Sequence, residues 1–195
     1  MSTDKTKKFK IKESGLTYDD YAAIDDGNRY ELAAGQLQLM SPAPTVTHQM
    51  ISFELQKIIT QTCEENYIIL YAPVDVILSS NEVRQPDIVL VHRSRLDIIK
   101  KRGVEGAPDL VVEILSPSTL KRDKIDKLKV YSYYGIPEYW IVDPCTGVLE
   151  QFILADGRYE LINIFQEDEI VTSPAISCAS FTMADIIKEI PLHLM

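Results

Sequence analysis

The run APDLVVEILSPST, from Ala107 to Thr119, places one carboxylate, Glu113, among Leu110, Val111, Val112, Ile114 and Leu115. A carboxylate inside a β-branched apolar run is costly unless it is paired, protonated or bound to a cation. In a strand, Val111, Glu113 and Leu115 point to one face and Leu110, Val112 and Ile114 to the other. Asp109 shares the Glu113 face but lies about 13 Å away along the strand, too far for one cation. It reads as a strand-start residue after Pro108. Asp87 is the better partner, because it follows Pro86 and heads a second apolar run, DIVLV. If 86–92 and 109–115 pair antiparallel, the start of one strand lies beside the end of the other, and Asp87 meets Glu113. Two close carboxylates do not both stay ionised without a positive charge between them. A divalent ion supplies it, and hard oxygen donors select magnesium, or manganese, over zinc.

A cation able to handle a water follows directly. Asp123, Lys127 and Tyr131 stand at i, i+4 and i+8 of a segment rich in helix formers, and therefore share one stripe, with Lys124 close to the same side. The ordinary reading is a surface Asp–Lys pair. The position of the stripe, immediately after the Glu113 strand, offers the other: a lysine pointed back at the metal.

The elements that must position these groups are legible in outline. TYDDYAAI (17–24) reads as a short helix capped by Thr17. RYELAAGQLQLM (29–40) reads as a hairpin turned at Ala34-Gly35. After the SPAP breaker (41–44), His48, Ile51, Ser52, Leu55, Ile58, Ile59 and Thr62 recur at helical spacing. Residues 67–80, 85–92 and 109–115 are strand-like, with 98–108 as a basic linker. A helix over 120–135 ends at Gly135. Strand 138–144 and a hairpin around Ala155-Asp156-Gly157 follow, then a short helix over 182–188. Strands and helices alternate irregularly and no Gly-x-Gly-x-x-Gly occurs, so the expected fold is α/β (α+β). It has a mixed sheet flanked by helices, without a phosphate-cradling loop.

Bulk properties agree with one domain over 17–195, preceded by a flexible basic arm over 1–16. No apolar run is long enough to cross a bilayer, and the lysine-rich start has no apolar segment behind it, so the expected location is the cytoplasm. Cys63, Cys145 and Cys178 are odd in number and widely spaced, which argues against a disulfide framework or a zinc cluster. The net charge is −9, but 11 of the 20 Lys and Arg residues lie between Arg84 and Lys129. Five more lysines (5, 7, 8, 10 and 12) sit in the arm, so a locally basic face for phosphate is compatible with an acidic whole.

Five blocks in order, RYELAAGQLQLMSPAPTVTHQ (29–49), QPD (85–87), PDLVVEILSPST (108–119), Asp123-x-x-x-Lys127-x-x-x-Tyr131 and GIPEYWIVDP (135–144), resemble the restriction-endonuclease-like family within the PD-(D/E)XK nuclease superfamily. The resemblance spans about residues 17–185. It implies a restriction-endonuclease-like core with additional β-hairpins, Asp87 and Glu113 as metal carboxylates, and the Ile114 carbonyl as a further ligand. The superfamily lysine belongs two residues after the glutamate, where this chain has Leu115. A lysine from the following helix replaces it in space: Lys127 first, Lys124 second, Lys121 third. Glu31 and His48 also match family positions. Glu31 is expected to support the metal or its water, against a half-exposed hairpin residue. His48 reads as a helix-start or core residue, against a proton-transfer role. Ser116-Pro117-Ser118 shapes the turn and caps the next helix; without a Gly-x-Ser-x-Gly elbow it is no nucleophile. Tyr139 and Trp140 are expected in the core, Trp140 against the Lys127 helix, with Tyr133 or Tyr134 available for base stacking.

The function implied is a magnesium-dependent endonuclease hydrolysing DNA phosphodiester bonds, working as a homodimer away from membranes. The alternative is an inactive nuclease-fold module that binds nucleic acid or protein. A small-molecule phosphoesterase ranks last.

Overall fold

A computed structural model describes residues 15–40, 43–117 and 120–194. In chain order it contains α1 (Tyr18–Ala22), β1 (Tyr30–Ala33), β2 (Gln36–Leu39), α2 (Val46–Cys63), β3 (Tyr67–Tyr71), β4 (Val76–Ser79), β5 (Glu82–Arg84) and β6 (Ile88–His92). Then come β7 (Ile99–Lys100), β8 (Gly103–Glu105), β9 (Leu110–Ile114), a π-helical stretch (Arg122–Lys127) running into α3 (Leu128–Tyr133), and β10 (Glu138–Asp143). The chain closes with β11 (Val148–Ala155), β12 (Arg158–Phe165), β13 (Ile170–Thr172), β14 (Ser180–Thr182) and α4 (Met183–Ile187).

The central sheet has six strands in the order β12-β11-β10-β9-β6-β3. It is mixed: β9 runs parallel to β10 and antiparallel to β6. Strand alternation divides its side chains between two apolar layers. Leu110, Val112 and Ile114 face α2, where Ile51, Leu55 and Ile59 meet Ile88, Leu90 and Trp140. Val111 and Leu115 face the other way, against Tyr131, Ile136, Tyr139 and Ile141. The helix after β9 therefore covers the face to which Glu113 belongs. Trp140 is a correction: it lies on the α2 side, tilted against Phe181, while its neighbour Tyr139 meets Tyr131 edge-on at 5.2 Å. Period-two alternation forbids both rings from sharing a face.

A second six-stranded sheet, β2-β1-β5-β4-β8-β7, carries the N-terminal hairpin. Two of its pieces were not expected. Glu82–Arg84 forms a strand against β1 and β4. The supposed linker 98–108 contains the β7–β8 hairpin, whose β8 pairs parallel with β4. Gly103 permits that approach, since a Cβ there would lie 2.3 Å from the Asp75 carbonyl oxygen. A small β13–β14 pair completes the fold.

Thr17 caps α1 as expected, in a reciprocal capping box with Asp20, and Thr45 and Thr182 cap α2 and α4. Of the basic arm, residues 1–14 lie outside the described residues, as does Ser118 of the expected cap. Leu16 is packed with Leu32 and Val83. The cysteines correct the disulfide reading: Cys63 at the end of α2 is joined to Cys178, 115 positions away, a pairing no local spacing reveals. No described helix is long and apolar enough to cross a membrane.

Candidate active site

Antiparallel pairing of β6 with β9 sets Ile88 opposite Val112, and one step further along the same register sets Asp87 beside Glu113. Asp87 sits just before β6 and is held in place there. Its Oδ2 accepts the Ile114 N–H at 2.7 Å and stands 3.2 Å from His48 Nε2, while its carbonyl accepts the Ala72 N–H. Both carboxylates line one cavity of about 700 Å³, whose wall also includes Glu31, His48, Ile114, Arg122, Asp123 and Lys127.

Glu113 is 4% exposed. Lys127 Nζ lies 2.7 Å from its Oε1, and the Tyr131 hydroxyl donates to the same oxygen at 2.8 Å. Asp123 and Glu31 also meet that ammonium, their oxygens 3.3 Å and 3.5 Å from Nζ. The stripe read from the sequence is thus real, and all three of its members are buried. Its helix is wound as a π-helix from Arg122 to Lys127, a local widening found frequently at functional sites.

Charge is distributed unevenly. Burial pushes Glu113 well above the usual carboxylate range; Lys127 opposes this, and the negative charges of Asp123, Asp87 and Glu31 add to it. Burial works against the Lys127 ammonium, but Glu113, Glu31 and Asp123 together raise its proton affinity well above normal. Tyr131 is held firmly as a phenol by burial and by Glu113. Burial would lower His48, yet its hydrogen bond and charge contact with Asp87, helped by the Ile114 backbone, raise it. His48 is therefore a contact partner of Asp87 rather than a helix cap or core residue.

Glu31, fully buried in β1, is not a half-exposed hairpin residue. Its carboxylate accepts the Gln85 N–H at 3.0 Å and pairs with Arg84 at 3.3 Å, and Arg84 in turn binds Glu82. Burial alone would raise Glu31, but Lys127 and Arg84 outweigh it and its pKa is lowered. The Arg84 clamp is not evident from the sequence alone, although an arginine immediately before QPD was the available signal.

Lys124 is a correction. It lies off the Asp123–Lys127–Tyr131 stripe and its Nζ reaches Glu150 on β11 at 2.6 Å. Lys121 is exposed. Neither is brought to Glu113. Asp109 is the structural residue expected, accepting the His92 N–H and pairing with Arg95.

Among the described residues, no three His, Cys, Asp or Glu side chains converge closely enough to enclose a metal ion by themselves. Magnesium seldom asks for that, being held by one or two carboxylates with water and substrate phosphate. Asp87 and Glu113 fit this pattern. So does the excess of negative charge around Glu113, and the buried Asp123 Oδ1 on the same wall has the Lys127 ammonium at 3.3 Å but no hydrogen bond.

A mixed sheet, a carboxylate at the head of one strand and another within its neighbour, and a buried lysine beside them define a restriction-endonuclease-like nuclease fold. A crystal structure of a putative nuclease belonging to DUF820 from Anabaena variabilis ATCC 29413 has the same architecture. Its TM-score is 0.72 at 18% identity, over 89% of this chain and 98% of that one. The family model of Uma2, described as putative restriction endonuclease, matches residues 17–184, and the chain belongs to that family. No curated protein matches it.

Proposed function

We propose that the protein is a magnesium-dependent endonuclease that hydrolyses DNA phosphodiester bonds at the Asp87–Glu113 cavity. The observation that carries this reading is the meeting of Glu113 and Lys127 at 2.7 Å on a wall shared with Asp87. Asp87, Glu113 and the Ile114 carbonyl are the groups that would hold the cation. A bound divalent ion supplies Lewis-acid polarisation of a phosphate oxygen and a more acidic water.

The protein's own residues do the rest. The Ile114 N–H and His48 fix the Asp87 carboxylate. Lys127 presents an ammonium, kept charged by three carboxylates, toward negative charge gathering on phosphorus. Tyr131 steadies Glu113, and Glu31, itself paired with Arg84, helps hold Lys127.

Cleavage of supercoiled DNA tests the reading. Nicking is expected with magnesium or manganese and is expected to vanish in Asp87→Ala and Glu113→Ala with the fold retained. Nicking that persists in EDTA, or full activity in both variants, overturns it. The alternative, an inactive binding module, is favoured by the occupation of Glu113 Oε1 by both Lys127 and Tyr131. DNA binding with neither manganese uptake nor turnover would establish it.

A further inference from the structure

Two aromatic rings stand open on the wall of the candidate active site. Phe53 and Tyr71 are each 60% exposed and both line the cavity that contains Asp87 and Glu113. Several other rings are covered, Tyr67, Tyr131, Tyr139 and Trp140 being 8% exposed or less, and Tyr133, at 82%, stands outside this cavity. The two open rings come from different elements, α2 and the end of β3, and each is tied to Asp87 through near neighbours. Tyr71 pairs with Ile88, and the next residue, Ala72, donates its N–H to the Asp87 carbonyl at 3.0 Å. Phe53 lies little more than one turn beyond His48, whose Nε2 contacts the Asp87 carboxylate. One side of the Phe53 ring carries Lys57 Nζ at 5.7 Å from its centroid.

From this geometry we propose that Phe53 and Tyr71 are a stacking site for an unpaired nucleobase flanking the scissile phosphate. The preferred substrate is then single-stranded or frayed DNA rather than continuous duplex. The inference rests on the nuclease reading and adds a substrate class to it. The physical reason is access: within a duplex both faces of a base are already covered by its neighbours, whereas an unpaired base offers a face to an aromatic ring. Electrostatics points the same way. Among the described residues the cavity wall has few Arg or Lys side chains (Arg29, Arg122 and Lys127), in a chain of net charge −9, which is a weak cradle for the charge density of a duplex. Stacking tolerates any base, so the site selects strand state and leaves sequence unread. Because both rings are fixed relative to Asp87, a stacked base would set which phosphate reaches Glu113.

Binding in EDTA separates this proposal from catalysis. The probe is a short oligodeoxynucleotide carrying a fluorescent adenine analogue, supplied as single strand or as perfect duplex. The full chain is expected to bind the single strand more tightly and to quench its fluorophore. Phe53→Ala and Tyr71→Ala are each expected to weaken that binding roughly 5- to 150-fold. Phe53→Trp, which keeps a π-face, is expected to retain it, and Phe53→Leu, which keeps only apolar bulk, to lose it. Equal affinity for the two probes, no binding of the single strand, or a Phe53→Leu variant that binds as the parent overturns the proposal. Metal-dependent cleavage of duplex DNA untouched by these substitutions would sink it while leaving the nuclease reading intact. Selective stacking with no cleavage of any DNA would do the reverse.

Discussion

Lys127 Nζ lies 2.7 Å from Glu113 Oε1, a contact closed between residues 14 positions apart, one on a buried strand and one on the helix laid over it. Each group makes the other tolerable in the interior, and neither would be stable there alone. Lys127→Ala leaves Glu113, Glu31 and Asp123 without their shared cation. A loss of about 3–5 kcal/mol in urea-unfolding free energy is expected. Lys127→Arg should recover part of that stability but little cleavage, since a planar guanidinium does not reproduce a point charge.

Glu113→Gln keeps the shape of the side chain and removes its charge. Manganese binding measured by calorimetry is expected to weaken at least tenfold, on the order of the effect of disturbing even a metal's outer partners. Asp123→Asn is expected to weaken it less than Glu113→Gln does. Unchanged manganese affinity in Glu113→Gln would remove that residue from the ligand set.

The Glu82–Arg84–Glu31 clamp joins the hairpin sheet to the site through buried charges. Arg84→Met should destabilise by about 3–5 kcal/mol, because the buried Glu82 loses its cation and Glu31 is left to Lys127 and Arg122. Replacing all three by apolar residues of similar volume should cost far less. A double-mutant cycle on urea midpoints reads the difference.

Glu31 gives the stability a definite acid dependence. Its folded pKa is below the ordinary 4.5, so its contribution is complete above that value and is lost as pH falls through the lower folded value. Glu113 has the opposite sign: its folded pKa is raised, so stability from its protonation is lost as pH rises above 4.5. Glu31→Gln should therefore flatten the pH profile of the unfolding midpoint below 4.5, and Glu113→Gln should flatten it above.

Cys63 and Cys178 tie the end of α2 to the segment between β13 and β14. A reductant is expected to lower the unfolding free energy by about 2–4 kcal/mol in the parent and to leave Cys178→Ser unaffected.

The sequence by itself determined the elements that obey a local period and the residues that violate one. The β1–β2 hairpin, α2, β6, β9 and β10 follow from alternation, helical spacing and turn residues. Glu113 declared itself by being the wrong residue in an apolar strand, Asp87 followed from register, and helix spacing marked the Asp123–Lys127–Tyr131 stripe. Tertiary structure alone decided what depends on non-local approach. Lys127 was selected over Lys124 because a helix sitting on the sheet presents only one stripe to it. The β5 and β7–β8 segments became strands because other strands were there to pair with, and their own short, charged sequences carry no such period. Cys63 met Cys178 across 115 positions, and Arg84 became the clamp on Glu31, for the same reason. A sequence specifies each residue's cost of burial, but only the packed chain brings together the partners that offset it.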